Sequence, residues 1–362
     1  MPGSELAGAE PLGQWIHAEL FSVSLPAGSR LSLGEGGTPL EPAEELGEAL
    51  GIPSLQLKRE DLSPTGSHKA RCLGLLCSLL VAAGDRPAVI SSSGNAAVAA
   101  AAYASLGGIR LLSLVSPRTP RVKLDRLRGY PQLTVLSKRP VALLHHAVRS
   151  WDLADLRGSV NPLAPNAYRG IAAELLGTGA LAAVFLFASS GASALGISQG
   201  FNRLLPPSER PQLHVVEGSP GGELTRPWYQ STGPASRPES HLGELGSRRS
   251  RLSPAVRREV RASGGRGWRV GPAELAGIRE LADRHGLRTS WEGLATLAAM
   301  REAAAGDQVS RAGSWIAVLT GDAAQLDLEP SRADDRPLPV AESELELDLL
   351  LEAAGFTRPD AR

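Results

Sequence analysis

A single lysine, Lys69, falls in the first turn of the helix that the segment KREDLSPTGSHKAR (residues 58–71) predicts after a glycine-containing turn. The backbone N–H groups at a helix start already carry partial positive charge, so a cation is disfavoured there. A lysine in that setting is a candidate for use as a neutral amine. Such an amine condenses with an aldehyde to give a Schiff base. The competing expectation is an ordinary exposed lysine near a helix start.

Three further segments place small and hydroxyl residues where a strand should end. SSSGNAAVAAAA (91–102) offers Ser92, Ser93, Gly94 and Asn95 ahead of an alanine-rich helix, a backbone nest suited to a carboxylate or phosphate. FASSGASALG (187–196) sets Ser189, Ser190, Gly191, Ala192 and Ser193 after an apolar strand, with no lysine or arginine among them. Unpaired N–H groups at a helix start hold phosphate without cationic side chains. AVLTGD (317–322) ends a buried strand at Thr320 and Gly321, and a threonine hydroxyl can meet a ring nitrogen without protonating it. Each segment alone also reads as a plain strand-to-helix turn.

Positioning these turns requires an α/β scaffold. From Leu55 onward, short β-like runs alternate with longer Ala/Leu-rich helical stretches every 25 to 30 residues, the pattern of a mostly parallel sheet flanked by helices. The 362 residues are 42% hydrophobic and 21% charged, too apolar for a disordered chain and long enough for two domains. The expected division is an N-terminal extension (1–30), a large domain from 31–45 and 159–329, a small domain (46–158) and a tail (330–362) ending in an acidic amphipathic helix. Between Gly218 and Gly267 runs a Gly/Pro/Ser/Arg-rich stretch, too long for an ordinary connection and therefore expected to be functional or poorly ordered.

The 38 basic and 38 acidic residues cancel, which disfavours a dedicated nucleic-acid or anionic-membrane binder. Cys72 and Cys77 make neither a disulfide framework nor a zinc site and read as core thiols. His145 and His146 read as surface or packing residues, and no metal is expected. With acids near the N-terminus and no apolar run that spans a bilayer, a cytoplasmic protein is expected. Neither a GxxxxGK[ST] loop nor a strand-linked GxGxxG is present.

Taken in order, the four turns resemble the fold-type II pyridoxal phosphate enzymes, and the chain looks most like threonine synthase within that family. LGEGGTPL (33–40), SPRTPRVKLDRLRGY (116–130), RASGGRGWRV (261–270) and WEGLATLAAM (291–300) add to the match, which covers about residues 30 to 325. The resemblance implies an active site in an interdomain cleft. It implies pyridoxal 5'-phosphate as cofactor, with Lys69 as the Schiff-base lysine. It further implies that Asn95 bonds the phenolic oxygen, and that Ser92, Ser93, Gly94 and Asn95 hold a substrate carboxylate. Ser189, Ser190, Gly191, Ala192 and Ser193 would then cradle the phosphate, and Thr320 would face the pyridine nitrogen.

The implied reaction is elimination or replacement at Cβ or Cγ of a small amino acid, as in conversion of O-phosphohomoserine to threonine, by a lyase expected to be a homodimer. Threonine synthases typically carry Phe-Lys-Asp where this chain has His68, Lys69 and Ala70, and threonine where it has Ala96. SPTGSHK is instead similar to the tryptophan synthase β subunit. A serine/threonine dehydratase, a cysteine synthase-like enzyme and a catalytically silent binding protein therefore stay open. Arg248, Arg249 and Arg251 put three cations within four positions, and Arg249 and Arg251 are expected to bind a second anionic group of the substrate. The bland alternative is a solvated basic loop.

Overall fold

The alternating pattern folds into two sheets. The computed structural model describes residues 13–84, 86–177, 179–219, 222–229, 250–306, 309–325 and 337–359. Six strands form the larger sheet: β1 (Leu40–Pro42), β2 (Leu55–Lys58), β7 (Leu181–Phe187), β8 (Gln212–Gly218), β9 (Gly267–Val270) and β10 (Ser314–Val318), in the order β1-β2-β10-β7-β8-β9. Only β1 is antiparallel to its neighbour. The smaller sheet is wholly parallel: β3 (Ala88–Ser91), β4 (Leu111–Val115), β5 (Leu133–Leu136) and β6 (Ala154–Asp155), in the order β5-β4-β3-β6.

Central strands are apolar on both faces because both faces are covered. Along β7, Val184 and Leu186 enter one core, while Ala183, Phe185 and Phe187 enter the core across the sheet. Ile316 and Val318 of β10 alternate with Trp315 and Ala317 in the same way.

Helices α2 (Lys69–Ala83), α3 (Asn95–Leu106), α4 (Arg121–Arg128) and α5 (Pro140–Ser150) accompany the smaller sheet. The larger one carries α1 (Glu44–Leu50), α6 (Arg169–Leu175), α7 (Ala192–Leu204), α8 (Ser253–Ala262), α9 (Pro272–Arg284) and α10 (Trp291–Ala305). Alanines along α3 let it lie close to α2, where a Cβ on Gly74 would be 3.0 Å from the Tyr103 ring.

One detail differs from the sequence expectation, and two others add to it. Strand β2 pairs with β1 and β10, so residues 55–58 run through the larger sheet rather than the small domain. The arginine-rich stretch contains an ordered helix, α8, whose Val256 and Val260 are fully buried. The tail helix α11 (Glu344–Ala353) docks on the smaller sheet's outer layer, with Leu347 and Leu351 buried beside Leu143 and Trp151. His146 reaches Asp348 on it at 2.7 Å, and Trp151 Nε1 donates to the same carboxylate. No described helix is long and apolar enough to cross a membrane.

Candidate active site

The loop before α2 is clamped to the end of β10. Ser67 bridges Gly321, the His68 N–H donates to Thr320 O at 3.2 Å, and Asp322 N–H donates to Gly66 O at 2.8 Å. Gly66 has φ +72, and a Cβ there would collide with an Asp322 carboxylate oxygen. Only glycine fits that turn. The clamp brings Lys69, at the first turn of α2, beside Thr320 and Gly321.

Burial pushes the Lys69 ammonium below the ordinary lysine range, and the nearby Glu292 charge only partly offsets this. This environment favours a neutral amine. The His68 ring lies against Tyr168, with centroids 5.5 Å apart, and its Nδ1 is 2.8 Å from Thr320 O. A carbonyl only accepts, so Nδ1 carries the hydrogen. Burial and then the Lys69 charge hold His68 well below its usual pKa, so the ring is neutral and Nε2 is an acceptor. The neighbouring Cys72 thiol is pushed up to about 11 by burial and stays protonated.

Opposite Lys69, the end of β3 turns into α3. Asn95 opens that helix, and a Cβ on Gly321 would lie 3.0 Å from Asn95 Nδ2 and 3.2 Å from Ser290 Oγ. Ser290 caps α10, accepting from Gly293 N–H, and its own N–H donates to Gly321 O at 2.9 Å. The ends of β3 and β10, the loop before α2 and the start of α10 therefore converge on Gly321. Lys123 of α4 approaches the same turn, its Nζ 3.7 Å from where a Gly94 Cβ would be. It is 4% exposed, and burial depresses its pKa while the Glu292 and Asp322 charges raise it. Arg126, one turn further along α4, pairs with Asp322 at 2.7 Å.

At the end of β7, Gly191 precedes α7 with φ +84, and a Cβ there would meet Val256 at 2.7 Å. Behind it the first N–H groups of the 13-residue α7 have no intrahelical partner. Ser190 and Ser193 are buried, and Ser250 Oγ donates to Ser190 O at 2.5 Å. That contact returns the arginine-rich stretch to the cradle.

A buried ion network stands behind Lys69. Arg71 bonds Glu60 and Glu174 through two nitrogen–oxygen contacts each, at 2.6 to 2.8 Å. Lys58 Nζ reaches Glu174 at 2.6 Å, and Thr38 Oγ1 donates to Glu60. Burial raises the Glu174 pKa, but Arg71 and Lys58 outweigh it and bring it down to about 2. This network ties α2 to α6 and β2, fixing the helix that carries Lys69.

The structure thus gathers Lys69, Asn95 and Thr320 around one point, with the Ser92–Gly94 turn beside it. Ser93 is exposed and Ser92 half-buried, its Oγ accepting from Gly94 N–H. Ser189–Ser193 form a cation-free turn at the end of β7. Arg248 and Arg249 lie outside the described residues, and Arg251 is exposed next to Ser250. Cys72 and Cys77 are buried free thiols, as expected. Among the described residues no His/Cys/Asp/Glu group could hold a metal. Sequence reasoning did not single out Lys123 and Glu292, although both stand in quoted motifs. The residues present fit pyridoxal phosphate: a depressed lysine, a helix-start cradle open only to glycine at 191, and a buried Thr320 hydroxyl with no acid in its place.

Comparison with known proteins agrees with this fit. Threonine synthase of Mycobacterium leprae (strain TN) is 40% identical over 118 residues, 32% of this chain and 32% of that protein. Threonine synthase of Halalkalibacterium halodurans is 38% identical over 85 residues, 24% of each chain. The matched segments span a third or less of those relatives. Among solved structures, a pyridoxal 5'-phosphate-dependent aspartate racemase shares the fold at TM-score 0.66 and 20% identity, covering 83% of this chain and 92% of that one. The processed form of threonine deaminase isoform 2 from Solanum lycopersicum does so at TM-score 0.67 and 18% identity, covering 88% of each chain. Residues 31–321 match the pattern of the pyridoxal-phosphate dependent enzymes as one continuous region, and the chain belongs to that family.

Proposed function

We propose that this enzyme catalyses elimination or replacement at Cβ or Cγ of a small amino acid whose side chain ends in an anionic leaving group, as a threonine synthase-like enzyme does with O-phosphohomoserine. One observation carries the reading. Lys123 is a buried ammonium beside the Gly94 turn, in no ion pair among the described residues. An unpaired buried cation costs several kcal/mol, and a ligand anion removes that cost.

Pyridoxal phosphate, when bound, supplies the electron sink that lets a proton leave the substrate's Cα. In this reading Lys69 Nζ holds the cofactor and carries that proton. The Ser92–Asn95 turn takes the α-carboxylate through backbone N–H groups, and Lys123 takes the distal anion. Ser189–Ser193 hold the cofactor phosphate by N–H groups and hydroxyls. Thr320 leaves the ring nitrogen unprotonated, which suits elimination and replacement better than transamination. The closed thiol-lined wall at Cys72 and Tyr168 keeps water from the far side of Lys69.

Steady-state kinetics on O-phosphohomoserine, O-phosphoserine, O-acetylserine, serine and threonine test the proposal. The phosphorylated substrates are expected to lead. Lys123→Ala should raise their KM about tenfold or more while leaving neutral substrates within about twofold. Preference for serine or threonine with no effect of Lys123→Ala would make the enzyme a dehydratase instead. No turnover of any of them would favour a silent binding protein.

A further inference from the structure

Around this cleft most buried and half-buried charges are matched. Arg71 and Lys58 hold Glu60 and Glu174, Arg59 holds Asp61, and Arg126 holds Asp322. Lys69, Lys123 and Glu292 break the rule. Glu292 Oε2 is buried without a hydrogen-bond partner, and neither lysine is in an ion pair among the described residues. The Glu292 charge partly offsets the effect of burial on both lysines. Glu292 stands in the first turn of α10, two residues after Ser290, which packs on Gly321 and faces Asn95. Of the charged groups around it, Lys69 comes from α2, Lys123 and Arg126 from α4, and Asp322 from the loop after β10.

Resting on the reading above, we propose that Glu292 sets the charge of the distal group the cleft accepts: a monoanion that still carries a hydrogen to donate, rather than a dianion. Lys123 supplies one positive charge to the distal group, and Arg126 is already neutralised by Asp322. A single negative charge satisfies Lys123. A second one would face the Glu292 carboxylate with no further cation shown beside it among the described residues, whereas an O–H on the ligand gives Oε2 the donor it lacks. A phosphate-type group therefore binds with one proton shared toward Glu292, and loses its fit when that proton leaves.

The experiment is calorimetric titration of the holoenzyme with a matched pair that has no leaving group, 2-amino-4-phosphonobutanoate and 2-amino-4-sulfobutanoate. The sulfonate is a fixed monoanion, while the phosphonate, like phosphate, loses its second proton in the neutral range. From about pH 6 to about pH 8.5 the wild-type affinity for the phosphonate should fall about tenfold or more relative to the sulfonate. In Glu292→Gln, which can donate, the ratio should be flat or reversed. Glu292→Asp keeps the charge and should keep the wild-type trend. A flat or rising wild-type ratio, or the same fall in Glu292→Gln, overturns the proposal. If Lys123→Ala binds both ligands as tightly as wild type, the anionic-substrate reading itself fails instead.

Discussion

His68 Nδ1 donates to the Thr320 carbonyl oxygen at 2.8 Å, joining the residue before Lys69 to the residue proposed to face the ring nitrogen. Those two functional positions come from opposite ends of the family match, and one imidazole holds them in register. His68→Phe removes the side-chain bond but leaves the His68 backbone N–H on the same oxygen. The expected cost is about 1–2 kcal/mol of unfolding free energy, measured by urea denaturation. Unchanged stability would mean that the side-chain bond does not hold the clamp.

Gly191 tests the cradle. Its φ of +84 and the 2.7 Å approach of Val256 leave no room for a branched side chain. Gly191→Val should therefore lower cofactor occupancy, read from visible absorbance against protein concentration, far more than Ser190→Ala does. Equal occupancy in the two variants would move the phosphate elsewhere.

The network behind Lys69 gives a stability prediction of larger size. Arg71→Met leaves Glu60 and Glu174 buried with Lys58 as the remaining cation, and is expected to cost about 3–5 kcal/mol. Adding Glu174→Gln removes one uncompensated carboxylate and should recover part of the loss. A double variant no more stable than the single one would show that these charges do not act as a unit.

Acid stability follows from the two buried neutral histidines. His214 stacks on Phe185 with centroids 4.2 Å apart, and its Nδ1 accepts from Trp268 Nε1 and the Arg266 N–H. Burial, and then the Arg266 charge, lowers its pKa from 6.5 to about 3. Below pH 6.5 the unfolded chain takes a proton that the folded one refuses, so stability falls as acid is added. Each such group contributes a slope of about 1.4 kcal/mol per pH unit, and His68 acts in the same direction. Denaturant titrations from about pH 6 to about pH 4 should show His214→Gln losing one proton's worth of that slope. An unchanged slope would mean that His214 is protonated in the fold.

Much of this was legible in the chain. LAAVFLF and SWIAV read as buried strands because both faces are covered, and SSGNAA and SSGASA read as helix-start turns because they change abruptly from apolar to small and hydroxyl residues. What escaped has physical causes. Strand β1 is three residues long, and the arginines of α8 mask the Val256 and Val260 stripe that docks it. Lys123 and Glu292 lie in segments whose periodicity only reports helix, and where they stand relative to the site depends on how α4 and α10 are placed by two different sheets. The switch of β2 into the larger sheet was hidden because a strand's sequence does not name its neighbour.

Two lysines, the half-buried Lys69 and the buried Lys123, share this cleft, and desolvation depresses the pKa of both, so covalent attachment of the cofactor discriminates between them directly. The decisive measurement is borohydride reduction of the holoenzyme followed by peptide mass mapping. The pyridoxyl mass is expected on Lys69, with Lys123 unmodified and Lys69→Ala taking up no reducible label. A label on Lys123, or a protein that gains no visible absorbance with added pyridoxal phosphate, would contradict the account.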